Sequence, residues 1–207
     1  MNLLLCGLIS NIAKVDKMSE WQLWIGTGIG HIADINGYDH ILFVMLVVLS
    51  YPLKEWKKLL GLVTGFTVGH SISLALSVAQ ILSVNTYLVE IGIVLTILAT
   101  AIYHMINYQT EVTEGKWLFF LIPFFGGIHG MGFSTLLRSM LGNSGDIAFP
   151  LLCFNLGLEI GQLMIVGFAL LFSLLLTLFF HFPFKYYKLF ISCSIAIVSV
   201  VLLLQRV

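Results

Sequence analysis

Two imidazoles and two carboxylates fall within ten residues in the segment His31-Ile-Ala-Asp34-Ile-Asn36-Gly37-Tyr38-Asp39-His40. Imidazole nitrogen and carboxylate oxygen together suit nickel, zinc, cobalt, iron or manganese better than magnesium or calcium, which favour all-oxygen sites. Asn36-Gly37 supplies a turn that lets His31 fold back toward Asp39 and His40. The plainer reading is a capped helix start, with Asn36 or Asp39 accepting from backbone N–H groups.

Three more segments carry the same kind of chemistry. Thr64, Thr67, His70 and Ser71 share one helical face in Thr64-Gly-Phe-Thr67-Val-Gly-His70-Ser71. The hydroxyls there read equally well as ordinary glue between membrane helices, but His70 needs a partner for each ring nitrogen. His129 sits among glycines in Gly126-Gly-Ile-His129-Gly130-Met-Gly132, where bare backbone leaves room for an ion or a neighbouring side chain. Asn155, Glu159 and Gln162 form a polar stripe at spacings of four and three. Glu90 adds a carboxylate near one end of a later apolar run, and His104 reads as an interfacial histidine or an inner relay.

These groups stand out because of what surrounds them. Of 207 residues, 59% are hydrophobic and 10% charged, and the mean hydropathy is +1.02. A soluble domain carries about 25% charged residues, so the outer surface of this chain must meet lipid. With zero net charge and no basic run it is not built for nucleic acid. Cys6, Cys153 and Cys193 include no CxxC pair and read as packing residues. An ionisable side chain at mid-membrane costs roughly 2.5–3.5 kcal/mol on insertion scales, so each one that persists needs a partner or a task.

The expected fold is an all-α integral membrane protein. A single transmembrane domain over residues 1–207 holds six spanning helices, preceded by a short interfacial or partly inserted helix. Spans need about 20 mostly apolar residues, and the stretches 56–82, 86–108, 116–141, 147–180 and 184–204 supply them. The first span, 37–56, is marginal: Tyr38 to Tyr51 covers only about 21 Å, and it continues to Trp56 if Lys54 snorkels. Residues 21–36 read as the interfacial or partial helix. Residues 1–20 are an N-terminal segment without the basic leader and cleavage site of a secretory signal. Lys54, Lys57, Lys58, Lys116, Lys185 and Lys188 gather in alternate loops, which places those loops in the cytoplasm and both termini outside.

Counted along the spans, His70, His129 and Glu159 fall near the midplane, while His31, Asp34, Asp39, His40 and Glu90 lie in the outer part. The expected metal ligands are therefore His31, Asp39, His40, His70, His129 and Glu159, with Asp34, Thr67, Ser71, Glu90, Asn155 and Gln162 in support. Neutral imidazole and ionised carboxylate are the ligating forms, so protonation weakens binding and couples release to protons. No GxxxxGK[ST] segment is present to bind ATP.

Four of these segments, in order, resemble the HupE/UreJ family of hydrogenase and urease accessory membrane proteins. They are Gly37-Tyr38-Asp39-His40-Ile-Leu-Phe43, Phe66-Thr-Val-Gly-His70-Ser-Ile-Ser-Leu74, Ile128-His129-Gly-Met-Gly-Phe133 and Asn155-Leu-Gly-Leu-Glu159-Ile-Gly-Gln162. The resemblance implies six transmembrane helices in a bacterial inner or plasma membrane. It also implies nickel uptake that supplies metalloenzyme maturation proteins, with the histidines and aspartate of the first segment important. The expected function is thus a secondary permease for a divalent transition metal, nickel first. The alternatives are an intramembrane metal-dependent enzyme, or an assembly protein whose His/carboxylate network only locks helices together. Assembly into a homo-oligomer is left open.

Overall fold

The computed structural model describes residues 19–35, 37–82, 85–110, 118–142, 147–180 and 183–206. The N-terminal segment up to residue 18, Asn36 of the expected turn, and the loop residues 83–84, 111–117, 143–146 and 181–182 lie outside the described residues. Among the described residues, seven α-helices run in the order α1 Glu20–Ile32, α2 Asp39–Val48, α3 Trp56–Val78, α4 Thr86–Ile106, α5 Leu118–Leu141, α6 Ala148–Phe180 and α7 Phe184–Arg206, with a 3-10 turn at Leu53–Glu55 before α3.

Local chemistry accounts for several of the boundaries. The Ser19 backbone N–H donates to Gln22 Oε1 at 3.1 Å and opens α1. Asn85 Oδ1 accepts from the Tyr87 N–H at 2.9 Å and opens α4. Five helices, α3 to α7, are long and apolar enough to cross a membrane. The stretch expected to span 37–56 forms only the ten-residue α2. Pro52 explains this, because it has no N–H to donate and pushes Tyr51 out of the helical region.

Two apolar clusters fill the bundle, one toward one end and the other running through the bundle to the opposite end. One joins Trp24, Val78, Leu141 and Leu151, and so the start of α1, the ends of α3 and α5, and the start of α6. The other joins Leu49, Tyr51, Leu59, Leu118 and Tyr187, and so the end of α2 and the starts of α3, α5 and α7. Lys54, Lys57, Lys58 and Lys185 sit at this second end, which we call the lysine end. α1 therefore runs inward from the first end and α2 runs on to the lysine end.

Two helix pairs pack backbone to backbone. A Cβ on Gly126 would run into the Phe66 carbonyl, one on Gly130 into the His70 carbonyl, and one on Gly69 into the Pro123 carbonyl. Contacts advance along both helices together, so α3 and α5 are parallel. α1 and α6 repeat the arrangement, with Gly28 against Phe154 and Gly157 against Ile25. Lipid tails are as apolar as leucine, so such close approach, and not hydrophobic burial, holds membrane helices together.

Candidate metal centre

The end of α1, the start of α2, the middle of α3 and the glycine-rich part of α5 meet at four histidines. The ring centroids of His31 and His40 are 4.6 Å apart, those of His40 and His70 5.7 Å, and those of His40 and His129 5.2 Å. Ligand nitrogens of His31, His40 and His70 all lie within 4.8 Å of one another. Gly126 and Gly130 make this convergence possible, because they let α5 approach α3 closely enough to bring His129 beside His70's helix.

The hydrogen-bond accounting of the four rings is incomplete. His31 Nε2, His40 Nε2, both nitrogens of His70 and His129 Nε2 are buried without a protein partner. An unsatisfied buried polar atom costs about 1–3 kcal/mol, so these five nitrogens call for a partner that the protein itself does not supply. A purely structural network would pair such nitrogens with one another or with backbone. His129 illustrates the opposite design: its Nδ1 lies 2.9 Å from the Phe125 carbonyl. With Nδ1–H donating there, Nε2 keeps its lone pair, the arrangement usual for a metal-bound imidazole. The donor set fits a divalent transition metal.

A cavity of about 300 Å³ reaches the centre from the first end, lined by His31, His40 and His129 together with Asp34, Asp39 and Glu90. Arg206, from the last turn of α7, also lines it. Its Nη2 donates to Asp39 Oδ2 at 3.0 Å and its Nη1 to the Glu90 carbonyl at 2.9 Å. Sequence reasoning missed Arg206 because it ended the last span two residues earlier, at 204. Extending the rule about ionisable groups in spans to the end of that apolar run would have found it. Phe133 and Phe154, which wall His31 at ring distances of 3.8 and 5.7 Å, carried no sequence signal beyond being apolar.

Glu159 is placed elsewhere. Thr64 donates to Glu159 Oε1 at 2.7 Å, Thr67 donates to Oε2, and Thr67 also lies 2.6 Å from Gln162 Oε1. The carboxylate thus ties α6 to α3 and is not among the residues grouped as a candidate metal cluster. Ser71 donates to the Thr67 carbonyl one turn back on α3 at 2.6 Å. Asn155 Oδ1 is buried without a partner. His104 is buried near the lysine end, 3.4 Å from Ser50 Oγ, and takes no part in the histidine group.

A family model described as HupE / UreJ protein matches residues 10–206, nearly the whole chain. The chain belongs to the HupE/UreJ family. The HupE/UreJ family is linked to nickel and cobalt uptake for hydrogenase and urease maturation, and is an accessory transporter-type family and not a known enzyme family. With its five long apolar helices, this HupE/UreJ member is an integral membrane protein. No curated protein and no solved structure matches it.

Because Arg206 occupies the carboxylate beside His40, Arg206→Gln is expected to strengthen divalent-metal binding. The partly buried pair is worth about 1 kcal/mol, which corresponds to roughly fivefold in affinity. Nickel titration calorimetry on the purified protein reads this directly, and weaker binding in the variant would instead make Arg206 a residue that holds Asp39 in position.

Proposed function

We propose that this protein is a secondary permease that admits a divalent transition metal, nickel first, from the outer face for metalloenzyme maturation. The observation that carries this reading is the set of five buried imidazole nitrogens without protein partners, gathered at the foot of a carboxylate-lined cavity. His31, His40 and His70 are the ligands, with His129 as the fourth. Three carboxylates, Asp34, Asp39 and Glu90, line the cavity against one guanidinium, Arg206, which is paired with Asp39, and the surplus of negative charge raises the local concentration of a cation. Glu159 braces the α3–α6 contact beside the path.

The sixth crossing of the membrane is supplied by α1 and α2 in two halves. Thirteen and ten residues give about 35 Å of helix at ~1.5 Å per residue, against a hydrocarbon core of about 30 Å. His31 closes the first half and His40 opens the second, so the centre lies at the interruption. Broken helices meeting near the midplane are a recurrent way to build an ion site in a secondary transporter. The lysine end faces the cytoplasm by the positive-inside rule, which puts the cavity mouth outside.

The test is metal uptake into proteoliposomes, offering Ni²⁺, Co²⁺, Zn²⁺ and Mn²⁺ in turn. Saturable flux of one metal, lost on His70→Ala, is the expected result. Bound metal without flux, in protein that elutes as a folded species, would point to an enzyme or a sensor.

A further inference from the structure

The cavity that reaches the histidine centre is lined by Glu90, Leu136 and Arg206, which lie toward the first end. On the other side of the centre lies a layer of three phenylalanines, each one helical turn from a histidine and each displaced toward the lysine end. On α2, Phe43 follows His40 by three residues; on α3, Phe66 precedes His70 by four; on α5, Phe125 precedes His129 by four. α2 runs toward the lysine end while α3 and α5 run away from it, so the opposite sequence order puts all three rings on the same side. The rings meet: Phe43 is 4.9 Å from Phe66 and 6.0 Å from Phe125. Phe43 and Phe66 also each lie 5.2 Å from the His129 ring. Phe43 and Phe66 are essentially inaccessible to solvent. Beyond the layer a second cavity of about 190 Å³ opens, and Phe125 forms part of its wall together with Thr100 and His104.

We propose that Phe43, Phe66 and Phe125 are the inner gate of the permeation path, and that the conformation described here is open to the outside and closed to the cytoplasm. The three rings offer a divalent ion leaving the imidazoles neither oxygen nor nitrogen, and a dry apolar constriction is a strong barrier to an ion. The gate residue on the short inner half-helix is Phe43. Moving α2, which non-helical chain bounds on both sides (residues 33–35 and 37–38 before it, 49–52 after it), would lift that ring off its two partners without disturbing the close α3–α5 pair.

The inference rests on the permease reading, and one experiment separates the two. Proteoliposomes are loaded with a metal-sensitive chelating dye and Ni²⁺ is added outside, using wild type, Phe43→Ala, Phe125→Ala and Phe124→Ala. Phe124 neighbours Phe125 but is 62% exposed on the outer surface of the bundle. The gate predicts saturable flux in wild type and Phe124→Ala, and severalfold faster flux that no longer saturates in Phe43→Ala and Phe125→Ala. Phe43→Leu serves where the alanine variant does not fold, and is expected to leak less than Phe125→Ala. Wild-type flux with the same saturable rate in folded gate variants overturns the gate and leaves the permease standing. An absence of flux in wild type and variants alike overturns the permease reading itself.

Discussion

His70→Ala is expected to weaken divalent-metal binding by more than about 100-fold while leaving the protein folded, since loss of even an outer-shell partner of a metal ligand costs 10–100-fold. The two halves of that expectation have separate physical causes. His70 offers one nitrogen to the three-histidine group that could hold a metal ion, so under the permease reading its loss would remove a metal bond outright. Yet both of its ring nitrogens are buried without protein partners. Deleting the ring therefore relieves two unsatisfied atoms at about 1–3 kcal/mol each, which offsets a large part of the roughly 2–5 kcal/mol cost of the cavity left behind. A ligand built for an ion behaves this way; a residue that merely locks helices does not. Nickel titration together with thermal unfolding in detergent measures both quantities. Retained binding accompanied by a stability loss of several kcal/mol would identify the histidines as a structural network. Ser71→Ala, which removes only a bond to the residue's own helix, is the matched control and is expected to change neither.

The second large effect concerns the packing that brings His129 to the centre. Gly126→Val and Gly130→Val are expected to prevent accumulation of folded protein. A Cβ at either position would overlap a backbone carbonyl of α3, that of Phe66 or of His70. Overpacking against side chains costs about 1–3 kcal/mol because they can shift, whereas a helix backbone cannot yield locally, so α3 and α5 must separate along their length. That separation also withdraws His129 from His40. At Gly26, by contrast, a Cβ would meet nothing within 4 Å, and alanine there gains up to about 1 kcal/mol of helix propensity. Yield and monodispersity on size exclusion discriminate these cases. A Gly126→Val protein as stable as wild type would mean that α3 and α5 do not touch through their backbones.

The membrane class, the five long helices and the short list of ionisable candidates were legible in the sequence because each depends on local quantities. Composition alone decides that the surface must meet lipid. The length of each apolar run decides where a helix can cross, and α3 to α7 begin and end within a few residues of the expected runs. Ionisable groups are so costly in a span that scarcity itself marks His31, His40, His70 and His129 as candidates. The short α2 was only half legible: the run from Tyr38 to Tyr51 is too brief to cross, yet the expected span continued through Pro52 to Trp56, where the helix in fact stops at Val48.

Which candidates meet was decided only in three dimensions. Depth counting put Glu159 level with His70 and His129, but depth says nothing about rotation around a helix axis or about which helices are neighbours. The parallel pairing of α3 with α5 and of α1 with α6 rests on glycines of one helix meeting carbonyls of another far along the chain, as Gly126 meets Phe66 and Gly157 meets Ile25. That pairing gathers the four imidazoles, turns Glu159 to the threonines of α3, and stacks three phenylalanines beneath the centre. Arg206 reaches Asp39 across 167 positions of sequence. Local periodicity cannot encode such contacts, because close packing in lipid selects shape complementarity between whole helix faces and not the character of any single residue.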